Sequence, residues 1–187
     1  MNRPAKDGSR GALRVRQAVA ADIEPLRALM EHAIGVHLAA YLPPEGVAAS
    51  FEIMGLDTQL IADGAYFVVE AEGRIAGCGG WSRRATLFGG DHSAGRDDAL
   101  LDPATEPARI RAMYTHPDFA RRGVGKLILE TCEAAAAAEG FRRCEMAATL
   151  SGEPLYRAAG YATIEPFEAD TSSGFKVPLI RMGKVLA

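Results

Sequence analysis

Ile110-Arg-Ala-Met-Tyr-Thr-His-Pro-Asp-Phe-Ala-Arg-Arg-Gly-Val-Gly-Lys126 reads in one pass as a strand, a basic glycine loop and the start of a helix. That junction is an anion cradle. Gly123 and Gly125 place no side chain between the backbone and an incoming phosphate. The first N–H groups of the following helix lack intrahelical partners, and its positive dipole end points at the same spot. Arg121, Arg122 and Lys126 add formal charge. A ligand carrying a pyrophosphate is the expected occupant.

Two commoner glycine motifs fail at required positions. A dinucleotide fingerprint needs a third glycine three residues after Gly125, where the chain has Ile128. A P-loop needs glycine five residues before Gly125 and Ser or Thr after Lys126, where Ala120 and Leu127 stand. The segment Ala120-Arg121-Arg122-Gly123-Val124-Gly125 resembles instead the Gln/Arg-x-x-Gly-x-Gly/Ala signature of the Gcn5-related N-acetyltransferase family, with Ala120 replacing the leading Gln or Arg. A second block, Leu155-Tyr156-Arg157-Ala158-Ala159-Gly160-Tyr161, is similar to the family's later Tyr-x-x-x-Gly-Phe/Tyr motif and follows at a suitable distance. The close resemblance covers residues 109–161, with weaker agreement over 13–81 and at the C-terminal end.

The resemblance implies an α/β fold: a mixed, mostly antiparallel central sheet with two splayed parallel central strands, flanked by helices. It implies acetyl-CoA as co-substrate, lying in the wedge between those strands. Position matching gives Met113, Tyr114 and Thr115 the task of pairing their backbone with the pantetheine arm. Arg121, Arg122, Gly123, Val124, Gly125 and Lys126 would hold the pyrophosphate. Tyr156 matches the tyrosine that protonates the leaving thiolate in many members. A phenol suits that task, being protonated at neutral pH yet able to donate. The departures are Arg109 where some relatives carry a glutamate, Thr149 where many have Asn, and Gly152 where Ala is usual. A guanidinium cannot accept a proton, so the sequence assigns no base. A water chain, a carboxylate or His116 could substitute.

Composition narrows the alternatives. The 187 residues suit one domain with a substantial core. The net charge of -3 gives no general affinity for nucleic acid, but residues 109–126 hold five Arg or Lys against one acid, a local basic patch. Cys78, Cys132 and Cys144 are odd in number and form no Cys-x-x-Cys pair, so reduced thiols and a cytoplasmic location are expected. His32, His37, His92 and His116 have no metal-ligand spacing, and no metal is expected. No apolar run has the length of a membrane span.

Along the chain, Met1 to Gly11 reads as a floppy tail and residues 12–187 as one acetyltransferase domain. Leu13–Gln17 alternates as a strand and Asp22 suits a helix cap. Residues 33–60 read as helical, broken at Pro43-Pro44. Tyr66–Glu70 and Arg74–Cys78 read as a hairpin around Glu72-Gly73. Residues 82–107 read as a surface insertion, either mobile or a substrate lid. Lys126–Glu139 predicts a helix, Arg143–Ala148 a strand, Pro154 to Gly160 a short helix, and Tyr161–Phe167 and Lys176–Lys184 two more strands.

The expected activity is transfer of an acetyl group to a primary amine of a small molecule by direct attack. A protein or peptide acceptor and a non-catalytic acyl-CoA-binding module are the alternatives. Glu45, Glu52, Glu165, Glu168 and Asp170 fall in segments that border the acceptor in the family, which favours a cationic amine. A homodimer is left open, and neither nucleic acid nor membrane is expected as a partner.

Overall fold

The alternation at Leu13–Gln17 becomes strand β1 (Arg14–Gln17) in a computed structural model that describes residues 12–186. The expected tail, residues 1–11, lies outside the described residues. After a single 3-10 turn comes helix α1 (Ile23–Leu38), then α2 (Pro44–Ile53) and the short α3 (Thr58–Ala62). Pro44 opens α2 at a position where its missing N–H costs no hydrogen bond. Asp22 does not cap α1 in the forward direction. Its carboxylate turns back to accept from the Val19 N–H at 2.8 Å and from Arg16 at 2.7 and 2.9 Å.

The predicted hairpin is β2 (Tyr66–Ala71) and β3 (Arg74–Ser82), with Trp81 inside the second strand. Strand β4 (Ala108–Thr115) leads through a 3-10 turn into α4 (Val124–Ala138). Strand β5 (Arg143–Thr149), helix α5 (Glu153–Ala158) and strands β6 (Ala162–Asp170) and β7 (Lys176–Val185) complete the chain. Among the described residues the seven strands lie in the order β1-β2-β3-β4-β5-β7-β6. Every neighbouring pair is antiparallel except β4 and β5. This is the mixed, mostly antiparallel sheet with a parallel central pair that the resemblance implied.

Helices cover both faces. On one face α4 buries Val124, Ile128, Leu129, Cys132 and Ala136 against β2, β3 and β5. Each fully buried Leu or Ile is worth about 1.5–3 kcal/mol. Close approach of α4 depends on β3 glycines: a Cβ on Gly77 would lie 2.5 Å from Val124 Cγ1. On the other face α1 packs Leu26, Leu29, Met30, Ala33, Ile34 and Leu38 against Tyr66, Val68, Cys78 and Tyr114. A third apolar cluster joins α2 to β6 and β7 through Ala49, Ile53, Ala169, Val177 and Leu179. Cys78, Cys132 and Cys144 are free and buried, and burial pushes the Cys78 and Cys144 thiols up to about 12.

Residues 83–107 carry neither helix nor strand, only a bridge between Arg84 and Leu100. Side chains tie the segment down. Arg84 grips Asp63 at 2.9 and 3.1 Å, Arg96 donates to Asp57 at 3.0 Å, and Asp91 accepts from the Thr58 N–H at 2.9 Å.

Candidate active site

The parallel pair is short. β4 and β5 register only at Ala108–Cys144 and Arg109–Glu145. Beyond that point β4 stays with β3 and β5 stays with β7, so their facing edges part. An ion cluster closes the apex: Glu145 accepts from Arg109 at 3.0 Å and from Arg181 at 2.7 Å. Arg109 is therefore a structural clamp.

The opening is a cleft walled by both parted strands, Tyr156, the α2–α3 loop and Leu87–Gly89. A bulge shapes the β4 wall. The β3–β4 register shifts between Cys78 and Gly80, and Ala112 takes φ 49°, a left-handed conformation uncommon for a residue with a side chain. Its carbonyl accepts from the Tyr66 hydroxyl at 2.7 Å. Arg111 and Ala112 consequently both serve the α1–α3 side, while Met113 packs toward α4.

Sequence reasoning missed Arg111 as a site residue. Its side chain is 3% exposed and donates to Asp57 at 3.0 Å, the Thr86 carbonyl at 2.9 Å and the Gly89 carbonyl at 2.6 Å. Asp57, 2% exposed, also accepts from Arg96 and from the Gln59 N–H. This network pins Leu87–Gly89 against the cleft, and Phe88 then packs on Phe167 of β6 with ring centroids 5.8 Å apart. Nothing in the letters around Arg111 marks it, because its three acceptors lie 22 to 54 residues away in sequence.

Each residue read as a cofactor contact has a definite place. Met113 and Tyr114 line the cleft. Tyr114 is buried, and its hydroxyl accepts from the Gly55 N–H at 3.0 Å, fixing the α2–α3 loop to β4. The Thr115 carbonyl accepts from His37 at 2.9 Å. Around the loop, Arg121 has φ 62° and Gly123 φ 89°, an alternation of the kind that turns successive N–H groups inward. Gly123 begins α4 with no side-chain cap, so the first-turn N–H groups of Val124, Gly125 and Lys126 have no partner within the helix. Val124 is buried, whereas Gly125 is glycine for packing: a Cβ there would come within 2.8 Å of Leu155 Cδ2.

The basic patch expected over residues 109–126 is divided. Arg109 and Arg111 are turned into the ion clusters, and Arg122 pairs with Glu72 and stacks over Phe119 at 4.8 Å. Arg121 and Lys126 are exposed beside the α4 N-terminus. The five carboxylates that favoured a cationic acceptor are also elsewhere. Glu52 accepts from Ser172, Glu165 pairs with Arg181, Asp170 pairs with Lys176, and Glu45 and Glu168 are exposed outside the cleft.

Tyr156 lines the cleft from α5, and its hydroxyl has no hydrogen-bond partner among the described residues. Burial raises its pKa above the ordinary value for a phenol. Gly152 makes room for it: an alanine Cβ would lie 2.9 Å from the Tyr156 ring. Thr149 is occupied locally, with its hydroxyl accepting from the Gly152 N–H at 3.2 Å. No carboxylate or histidine lines the cleft among the described residues. His116 is outside it, where its Nδ1 accepts from the Asp118 N–H at 3.2 Å, so it is no candidate for the base.

Solved structures share this architecture. A Rhodopseudomonas palustris protein described as a GCN5-related N-acetyltransferase superposes with a TM-score of 0.68 at 19% identity, covering 95% of this chain and 97% of the other. The PaiA N-acetyltransferase of Thermoplasma acidophilum, solved with coenzyme A, gives 0.62 at 12% identity, covering 93% and 99%. The ribosomal-protein-S18-alanine N-acetyltransferase of Escherichia coli gives 0.57 at 14% identity, covering 94% and 95%. A search of curated protein sequences gives no significant match. No helix among the described residues is long and apolar enough to cross a membrane. A family model for the acetyltransferase (GNAT) domain matches residues 62–163, from the end of α3 into β6 and through both the glycine loop and Tyr156. With more than half of its length matched, the chain belongs to the GNAT acetyltransferase family and is an acyltransferase.

Proposed function

We propose that the protein transfers the acetyl group of acetyl-CoA to a primary amine of a small molecule by direct attack. The observation that carries this reading is the uncapped N-terminus of α4, with its left-handed loop, where Gly125 lies beside Thr115 at the end of β4, the strand that parts from β5. The parts fit a coenzyme A molecule. Unpartnered N–H groups at a helix N-terminus suit a pyrophosphate, Arg121 and Lys126 supplement them, and the unpaired inner edge of β4 suits a pantetheine arm added like a strand. When bound, acetyl-CoA supplies an activated acyl carbon.

This chain's residues position and move protons. Backbone N–H groups of β4 polarise the acyl oxygen where negative charge develops. Tyr156, poised in the cleft with a free hydroxyl, donates to the departing sulfur. With no carboxylate or histidine in the cleft lining among the described residues, the amine arrives neutral and loses its proton to solvent. Arg111 and Asp57 hold Leu87–Gly89 in place, and Phe88 on Phe167 roofs the acceptor side, which favours a small acceptor over a polypeptide.

Thiol release from acetyl-CoA, measured across a panel of small amines and a lysine-containing peptide, tests this function. Amine-dependent release with a small amine is the expected result. Release only with the peptide would move the acceptor to protein. The Escherichia coli relative is named for acetylating an alanine of a ribosomal protein.

A further inference from the structure

We propose that the acceptor is a primary amine with an apolar body, arylalkyl or branched alkyl, carrying no second charge, and that Leu87 selects that body. The assignment rests on the acetyl-transfer reading of the same cleft. The acceptor side of the cleft is walled by Ile53, Met54, Leu87, Phe88, Ala147 and Leu179. Five of these six pack with the apolar cluster under α2, and not with the cluster under α4. An apolar body entering here replaces water against carbon on several sides.

Charge points the same way. Among the described residues the one charged side chain lining the cleft is Arg111, and its partner Asp57 is shared with Arg96. Asp57 answers both guanidinium groups, and Asp91 and Asp98 lie near Arg96 as well, so the network below the pocket is close to neutral. Among the described residues the lining then offers no carboxylate to a second cation on the acceptor, and burying that cation unpaired is costly. The Arg111 guanidinium is already committed to Asp57 and two carbonyls, and so is poorly placed to hold an acceptor carboxylate.

Burial among these walls also disfavours the ammonium form. The neutral nitrogen then forms the new C–N bond with the acyl carbon, and the C–S bond breaks with its electron pair on sulfur. One amine proton passes to solvent. The Tyr156 proton goes to sulfur and is replaced from solvent.

Leu87 is half-buried and belongs to none of the three apolar clusters, so its replacement alters the pocket without hollowing a core. The full chain is assayed for thiol release from acetyl-CoA with phenethylamine, isoamylamine, spermidine, glutamate and a lysine-containing peptide. kcat/KM for the first two should exceed the others by about 10-fold or more, the discrimination one pocket contact supplies. Leu87→Glu, which adds a carboxylate to the lining, should shift the spermidine-to-phenethylamine ratio toward spermidine by about 10-fold. If Leu87→Glu does not fold by circular dichroism, Leu87→Ala replaces it, with a selective loss for phenethylamine expected.

Wild-type preference for spermidine, glutamate or the peptide overturns the proposal, as does a ratio unmoved by the Leu87 variant. If no amine releases thiol, the acetyl-transfer reading fails separately. The pocket is then read by thermal shift with coenzyme A present. Stabilisation by phenethylamine that Leu87→Glu, or its Leu87→Ala replacement, abolishes supports the apolar-amine site, and no stabilisation overturns it.

Discussion

Asp57→Asn removes one negative charge from a site where water cannot easily compensate. Asp57 and Arg111 are 2% and 3% exposed, so the substitution leaves a buried guanidinium without its counter-ion. Breaking one side of a buried pair costs about 3–5 kcal/mol. Asparagine retains an oxygen for the Gln59 N–H, and Arg96, 20% exposed, regains water, so the lower end applies. A loss of about 3 kcal/mol in a domain of this size corresponds to about 6–12 °C in melting temperature. The same change frees Leu87–Gly89 from one anchor and should raise KM for the acceptor more than it weakens acetyl-CoA binding. Thermal and urea denaturation, with Asp118→Asn at an exposed ion pair as the control, measure the first effect. The control should move by no more than about 0.5 kcal/mol. A loss below about 1 kcal/mol for Asp57→Asn would refute the reasoning, because the network would then not hold the cleft wall.

Tyr156→Phe should lower turnover by about 10-fold or more with little change in acetyl-CoA affinity, since the hydroxyl acts in the transition state. Burial holds this phenol above its ordinary value of about 10, so it should produce no alkaline limb in the rate profile below that pH. A limb below pH 10 that disappears in Tyr156→Phe would contradict the assignment. In acid, hydrogen bonds from Arg16 hold the Asp22 carboxyl below the usual carboxylate range, and Arg84 does the same for Asp63. Both depressed groups stabilise the fold above their unfolded value of about 3.9, and that contribution is lost as pH falls through the folded value. Asp22→Asn should therefore flatten the acid loss of stability below about pH 4, and an unchanged acid profile would assign the loss to other groups.

The elements that local chemistry determines were legible in the chain. Alternation marked β1, Glu72-Gly73 marked the β2–β3 turn, and the run from Ile110 to Lys126 marked β4, the glycine loop and α4. Tyr156 was reached through its motif, and it stands in the cleft. What the sequence hid depends on distant partners. Arg111 reads as one more basic residue until β4 bulges at Ala112 and Asp57 arrives from 54 residues away. Asp22 has the letter of a helix cap but spends its carboxylate on Arg16 and Val19. The five carboxylates suggested a cationic acceptor because segment proximity was read as side-chain direction, and those side chains point out of the cleft or to local partners. Leu87 and Phe88 sit in a stretch without periodicity, where only the anchors at Asp57 and Asp63 define which residues face the site.

The central claim is that the α4 N-terminus and its left-handed loop hold the pyrophosphate of acetyl-CoA. Titration calorimetry of acetyl-CoA into the wild-type chain and into Gly123→Glu tests it most directly. The space around a Gly123 Cβ is open, with Leu13 Cδ1 nearest at 4.0 Å, so the variant should fold. At φ 89° the added side chain costs about 1–2 kcal/mol of stability. The account predicts binding by the wild-type chain and none by the folded variant, whose carboxylate faces the same N–H groups. Equal affinity in the two folded proteins would contradict it.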